Sequence, residues 1–235
     1  MGVFILIDKM IKNLINLFFP KICLGCKNLL TDNEVNICTK CRNTLPVTDY
    51  HNFEGNAMEK IFYGRSEINA ATALLRYSKK GIVQELMHNL KYRGHEEIGN
   101  LFGSWLGYEL SQSERFQNID IVIPVPLHKS KLKKRGYNQV SKFAQELAKF
   151  LNTSCNETIL LKSQNTKTQV FKKRFARWQR NNEIFTIKNG HLLANKNVLI
   201  ADDIVTTGAT LEKCCEIIKP FKPASISIAC IAITD

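Results

Sequence analysis

Apolar residues in this chain follow two rhythms. Ala70–Tyr77, Ile119–Val125, Thr158–Lys162, Asn197–Ala201 and Ser225–Ile233 are short apolar runs and read as strands, the second and fourth as fully buried ones. Lys80–Leu90, Glu96–Leu110 and Tyr137–Leu151 instead repeat every three to four positions. The last of these sets Val140, Phe143, Ala144, Leu147, Ala148 and Leu151 on one helical face. A further helix follows Thr210, where Leu211, Cys214, Cys215 and Ile218 fall at i, i+3, i+4 and i+7. Strands alternating with helices predict an α/β fold: a parallel sheet with helices on both faces, binding its ligand beyond the carboxyl ends of the strands. At the N-terminus, Phe4, Ile7, Ile11, Leu14, Ile15 and Phe18 share one face of an amphipathic helix. It is too interrupted to span a bilayer, and its polar face is not strongly basic, which argues against peripheral membrane contact. The apolar run Val3–Ile7 is too short for a secretory signal, so a cytoplasmic protein is expected.

The fourth apolar run leads into Asp202-Asp203-Ile-Val-Thr206-Thr207-Gly208-Ala209-Thr210. A strand, a tight glycine turn and a helix N-terminus form an anion cradle, because free N–H groups and the positive end of the helix dipole point the same way. Thr206, Thr207 and Thr210 add hydroxyl donors, and Gly208 allows close main-chain approach. Asp202 and Asp203 would repel an anion. They suit the vicinal hydroxyls of a sugar or a hydrated Mg²⁺ instead. A second basic stretch, Pro124 to Gln139, reads as a lysine-rich loop from another strand end to another helix start, with Arg135 and Gly136 at the junction. Two anion sites and a diol reader describe a ribose phosphorylated at both ends.

The 235 residues suffice for one such domain with a small appendage. A net charge of +12 favours polyanionic partners, concentrated in Lys129–Arg135 and Lys162–Arg180. Of eight cysteines, Cys155, Cys214, Cys215 and Cys230 lie in apolar surroundings and read as core thiols. The other four form Cys23-x2-Cys26 and Cys38-x2-Cys41, a spacing suited to one tetrahedral Zn²⁺. Two disulfides are the competing reading, and they require an oxidising compartment. Lys21–Leu45 is too short to bury a core, so metal would supply most of its folding energy. The expected organisation is residues 1–47 as helix and zinc module, 48–69 as a polar linker or hood, and 70–235 as the main domain. The five histidines show no ligand spacing, and Trp105 is expected in the core.

Val198–Thr210 resembles the phosphoribosyl pyrophosphate (PRPP) loop of type I phosphoribosyltransferases: four hydrophobics, two acidic residues, then Thr-Thr-Gly-x-Thr. Pro124-Val-Pro-Leu followed by Lys133-Lys-Arg-Gly-Tyr-Asn-Gln139 is similar to the ComF family, as are Phe19-Pro-x-x-Cys-x-x-Cys26, Phe62-Tyr-Gly-Arg65 and Leu90-Lys-Tyr-Arg-Gly94. The resemblance implies a type I phosphoribosyltransferase-like fold with an N-terminal zinc module, binding PRPP with Mg²⁺. It assigns the 5-phosphate and ribose to Asp202, Asp203 and Thr206–Thr210, and pyrophosphate to Val125, Lys134 and Arg135. Catalytic weight falls on Asp202, Asp203 and Arg135. A mobile loop with Thr166, Gln169, Arg177 and Phe185 closes over the pyrophosphate, although Arg180 stands where the family's Asn belongs. The family's association is with competence and DNA uptake, which brings single-stranded DNA and uptake proteins in as partners. Three readings stay open: an active transferase, a PRPP-responsive factor without catalysis, and a single-stranded nucleic-acid binder.

Overall fold

The computed structural model describes residues 18–163 and 184–234. Its central sheet contains β1 (Ala70–Tyr77), β2 (Ile121–Pro124), β3 (Ser154–Cys155), β6 (Asn197–Val205) and β7 (Ser225–Thr234), all parallel, in the order β1-β7-β6-β2-β3. Main-chain pairing of β6 with β7 continues through Val205 opposite Ile233. The strand expected to stop at Ala201 therefore carries both aspartates inside it.

Three helices cover one face: α3 (Ile82–Tyr92), α4 (Glu97–Gln112) and α6 (Ser141–Phe150), whose apolar stripes meet Leu199, Ala201, Ala229 and Ile231 of the sheet. Gly99, Gly103 and Gly107 lie along one side of α4 and let α6 approach closely; a Cβ on Gly103 would sit 2.7 Å from the Phe143 carbonyl oxygen. On the other face lies α7 (Ala209–Ile218), with Leu211, Cys214, Cys215 and Ile218 buried as their spacing predicted. Beside it stands a hairpin of β4 (Leu160–Ser163) and β5 (Ile184–Ile187). This corrects the expectation for Thr158–Lys162. The segment pairs antiparallel in its own two-stranded sheet, because β3, too short to carry an apolar pattern, already occupies the edge beside β2. Its apolar residues Ile159 and Leu160 are buried against the second face instead.

Chain direction fixes where a ligand can enter. After β2 the chain moves outward to β3, with α6 on the first face. After β6 it moves the opposite way to β7, with α7 on the second face. The carboxyl ends of β2 and β6 thus flank the switch point of the sheet, where the crossovers part and leave a crevice.

The described segments ahead of β1 do not hang free. Pro46, Val47 and Thr48 run antiparallel along the outer side of β1, with Arg76 N–H donating to the Pro46 oxygen and Thr48 N–H to the Leu74 oxygen. They cover an edge strand that would otherwise offer unpaired amides. The 48–69 segment, expected as a polar linker or hood, folds into a short 3-10 turn at Tyr50–Asn52 and α2 (Ala57–Lys60). It buries Met58 and Phe62 completely against the second face. Buried Glu59 accepts from the Gly55 and Ala71 amides and pairs with Arg115. The four-cysteine module, with α1 (Thr39–Asn43), joins the core of the first face through Leu24, Ile37 and Leu45. Asn89 of α3 donates to the Leu24 oxygen at 2.7 Å. Trp105 is half-buried rather than core, and the Arg42 guanidinium lies 5.2 Å from its ring centre.

Candidate active site and metal centre

The last residues of β6 bring the two carboxylates to the sheet's carboxyl edge. Successive strand side chains point to opposite faces. Asp202 and Asp203, each more than nine-tenths buried, therefore meet different neighbours. Asp203 turns to the α3 side. Lys91 Nζ lies 2.9 Å from its Oδ2, and Gln139 Nε2 donates to the same oxygen at 2.6 Å. Its Oδ1 accepts the Ile204 N–H at 2.6 Å. The Gln139 Oε1 in turn accepts from Arg135, whose guanidinium lies 5.3 Å from the centre of the Tyr92 ring. A continuous polar chain thus runs Arg135–Gln139–Asp203–Lys91.

Asp202 turns to the α7 side, where it lines a hollow of about 60 Å³ with Ile204 to Leu211. Burial, reinforced by the charge of Asp203, pushes its carboxyl up to about 8. The Asp203 N–H, donating to its Oδ1 at 2.8 Å, opposes that rise. That rise favours the protonated carboxyl over the carboxylate. Asp202 can then donate to a sugar hydroxyl or give up its proton to an arriving cation. Two adjacent identical residues thus meet different surroundings.

Beyond Val205, Thr206 and Thr207 are exposed, Gly208 is buried at φ +74°, and α7 begins at Ala209. Gly208 is required twice over: its φ is left-handed, and a Cβ would sit 2.5 Å from Ile61 Cγ2. The hydroxyls of Thr206, Thr207 and Thr210 belong to the rim that carries the first free amides of α7.

Of the residues expected at pyrophosphate, Arg135 lies at the site through Gln139. The segment leading to it is not a loop. It is α5 (Lys129–Arg135), capped by His128 at its start and by Gly136 at φ +87° at its end. Lysine, leucine and arginine are good helix formers, and that propensity wins where no packing opposes it. Lys134 is exposed on its last turn. Val125 is buried, and its N–H is committed to the Ala201 oxygen at 2.8 Å, so it has no amide to give an anion in this arrangement. Gln169 and Arg177 lie outside the described residues; Phe185 is buried on β5. Sequence reading left Lys91, Gln139 and Arg65 without roles. The pairings that bring them to the site, Lys91 and Gln139 with Asp203 and Arg65 with Thr207, span 112, 64 and 142 residues of chain, and no local pattern announces such pairs.

Cys23, Cys26, Cys38 and Cys41 place their sulfurs within 4.8 Å of one another. Cys26 Sγ and Cys38 Sγ are 3.7 Å apart, close to the edge of about 3.8 Å that a tetrahedron with Zn–S bonds of 2.3 Å requires. Main-chain amides already point at the sulfurs: Gly25 and Cys38 donate to Cys23 Sγ at 3.4 and 3.2 Å, and Cys41 to Cys38 Sγ at 3.4 Å. Burial alone would raise the Cys23 thiol. The amides outweigh burial and bring it down to about 6, which favours the thiolate a metal needs. All four are free of disulfides, and their arrangement fits Zn²⁺.

Residues 134–234, which hold Arg135, Asp202, Asp203 and the Thr206–Thr210 loop, match the phosphoribosyl transferase domain family. The DNA utilization protein YhgH of Escherichia coli O157:H7 is 25% identical over 234 residues, covering 92% of this chain and 98% of that protein. Competence protein ComFC of Bacillus subtilis is 27% identical, over 88% of this chain and 82% of its own. Competence protein F of Haemophilus influenzae is 23% identical, over 90% and 96%. A purine phosphoribosyltransferase structure from Pyrococcus horikoshii superposes with a TM-score of 0.36 and 21% identity, over 59% of this chain and 73% of that one, too loosely to bear on function. Switch-point carboxylates, the glycine turn and the matched domain define a protein of the type I phosphoribosyltransferase-like fold. With the four-cysteine module ahead of it, the chain is similar nearly end to end to both competence proteins, which supports a ComF-family assignment.

Proposed function

We propose that this protein binds PRPP with Mg²⁺ across the carboxyl ends of β2 and β6 and transfers its phosphoribosyl group. One observation carries the reading. Two buried carboxylates of opposite character stand directly before an amide- and hydroxyl-rich turn, at the switch point of the sheet. The Thr206–Thr210 turn takes the 5-phosphate, Asp203 accepts from one ribose hydroxyl, and Asp202 meets the other. Mg²⁺, when bound with the diphosphate, neutralises leaving-group charge. Asp203 is already committed to Lys91 and Gln139, so Asp202 is the carboxylate suited to that ion, which keeps most of its waters. As pyrophosphate leaves C1, positive charge grows on the ribose ring. Arg135 and its lysine-rich helix then face the departing anion. The relatives' names, DNA utilization protein and competence protein, support a role for this chain in competence and DNA utilization. Among the described residues, no helix is long and apolar enough to cross a membrane.

The test is calorimetric titration with PRPP and Mg²⁺, followed by pyrophosphate release against a panel of bases. Binding that Asp202→Asn with Asp203→Asn abolishes supports the site. Unchanged affinity in that double variant sinks it. Binding without pyrophosphate release on any base leaves a PRPP-responsive factor.

A second reading draws on a groove of about 590 Å³ between the cysteine module and α4, where Trp105, Tyr108 and Arg42 meet. Aromatic faces beside a guanidinium suit stacked bases, and the net charge of +12 suits a phosphate backbone. Single-stranded DNA binding whose log affinity falls steeply with log salt, and falls again in Trp105→Ala, would establish it.

A further inference from the structure

Arg65 sits far from both carboxylates in sequence, in the hood segment, yet it reaches the turn after β6. Its Nη1 donates to the Thr207 oxygen at 2.7 Å and to the Ile61 oxygen at 3.1 Å, and its Nη2 pairs with Glu212 Oε2 at 2.5 Å. Two physical consequences follow. A trans peptide is planar, with its C=O and N–H pointing in opposite directions. Drawing the Thr207 carbonyl toward Arg65 therefore turns the Gly208 N–H away from Arg65, toward the concave side of the turn. Glu212 also lies in the opening of α7, where a bare carboxylate would repel an anion held by the helix N-terminus. The guanidinium neutralises that charge and keeps it on the hood side. Ile61 and Phe62 brace the same turn from below, within 2.5 and 3.3 Å of where a Gly208 Cβ would stand.

We infer that Arg65 is a positioning residue for the anion-binding turn: it sets the Thr207–Gly208 peptide and masks Glu212, so that the turn accepts a phosphomonoester. The inference rests on the proposed reading of that turn and adds to it a residue outside the phosphoribosyltransferase domain match. It makes the hood part of the site. The 5-phosphate affinity then depends on a salt bridge between two segments 147 residues apart.

The probes are ribose 5-phosphate for the turn and inorganic pyrophosphate for the α5 side, titrated calorimetrically into the full chain. Arg65→Ala should weaken ribose 5-phosphate about 30-fold and pyrophosphate less than about twofold, since a charge-assisted donor is lost and an anion-repelling carboxylate is freed. Glu212→Gln added to Arg65→Ala should recover about fivefold, because it removes the freed charge. Arg65→Lys, which keeps the charge but cannot bridge both acceptors, should fall between. A merely structural role for Arg65 would not be relieved by Glu212→Gln. Three results overturn the inference while leaving the turn's function standing: wild-type ribose 5-phosphate affinity in Arg65→Ala, equal loss of both probes, or no recovery in the double variant. If Arg65→Ala does not fold, Arg65→Lys against Arg65→Lys with Glu212→Gln reads the same recovery. Wild-type protein that binds pyrophosphate but not ribose 5-phosphate takes down the reading of the turn itself, and Arg65's role with it.

Discussion

The cysteine module and the sheet-edge site are built on opposite principles. In the module, four ligands lie within 19 residues, and the amides that tune them come from the same short stretch. Its own apolar residues count only because they join the core beneath α3 and α4. At the sheet edge, the central residues are adjacent in sequence and act on each other, but the side chains that pair with them or brace the turn come from elsewhere: Lys91 from α3, Gln139 from before α6, Arg65 from the hood. The module has four sulfurs close enough together to be held by one metal ion. The site keeps its shape through the packing of the whole domain, and the charges it holds are costly to bury.

The sharpest break between the two is metal removal. Chelation, or Cys38→Ser, should release zinc and unfold residues 21–45 while the sheet still melts cooperatively. Structural zinc in such modules is worth on the order of 10–16 kcal/mol. Metal content and amide exchange read this directly. Stoichiometric zinc retained in Cys38→Ser would contradict the four-sulfur site.

The next effect belongs to Asp202. Its folded-state carboxyl is raised from 3.8 to about 8, so between those values the folded protein holds a proton that the unfolded chain has lost. Stability therefore falls as pH climbs from 4 toward 8 and levels off above. Asp202→Asn stays neutral throughout. Its stability advantage over wild type should grow by about 2–4 kcal/mol from pH 4.5 to pH 8 in urea melts. A constant difference would show that Asp202 is not held in the neutral form. The affinity of the same variant for PRPP should fall furthest behind wild type where its stability leads most, separating what the fold wants from what the site needs.

Lys91→Met should cost about 2–3 kcal/mol, at the low end for a broken buried pair because the lysine is one-fifth exposed. Adding Asp203→Asn should return most of that loss. Additive losses in the double variant would mean the two do not act as a pair. The smallest effect tests how the two regions are joined. Arg42→Ala should cost about 0.5–1 kcal/mol through its contact with the Trp105 ring. No change in melting would leave the Asn89–Leu24 bond and the shared core as what docks the module.

Periodicity read from the sequence determined most of the architecture. The apolar runs at 70–77 and 225–233 and the stripes of α3, α4, α6 and α7 needed only the alternation of strand and helix to predict a covered parallel sheet. The four cysteines and the Asp202–Thr210 turn were equally legible, because both signals are local: ligand spacing in one, strand, turn and cap in the other. Tertiary structure alone decided the rest. It moved Leu160–Ser163 into its own hairpin, folded the hood against the second face, and took the Val125 amide into the sheet. It buried the Asp202 carboxyl so that its pKa rises and set Lys91 and Gln139 on Asp203, although the two are the same residue in consecutive positions. Protonation and pairing depend on which face a side chain meets and on what distant segments bring there, and neither is a property of neighbours along the chain.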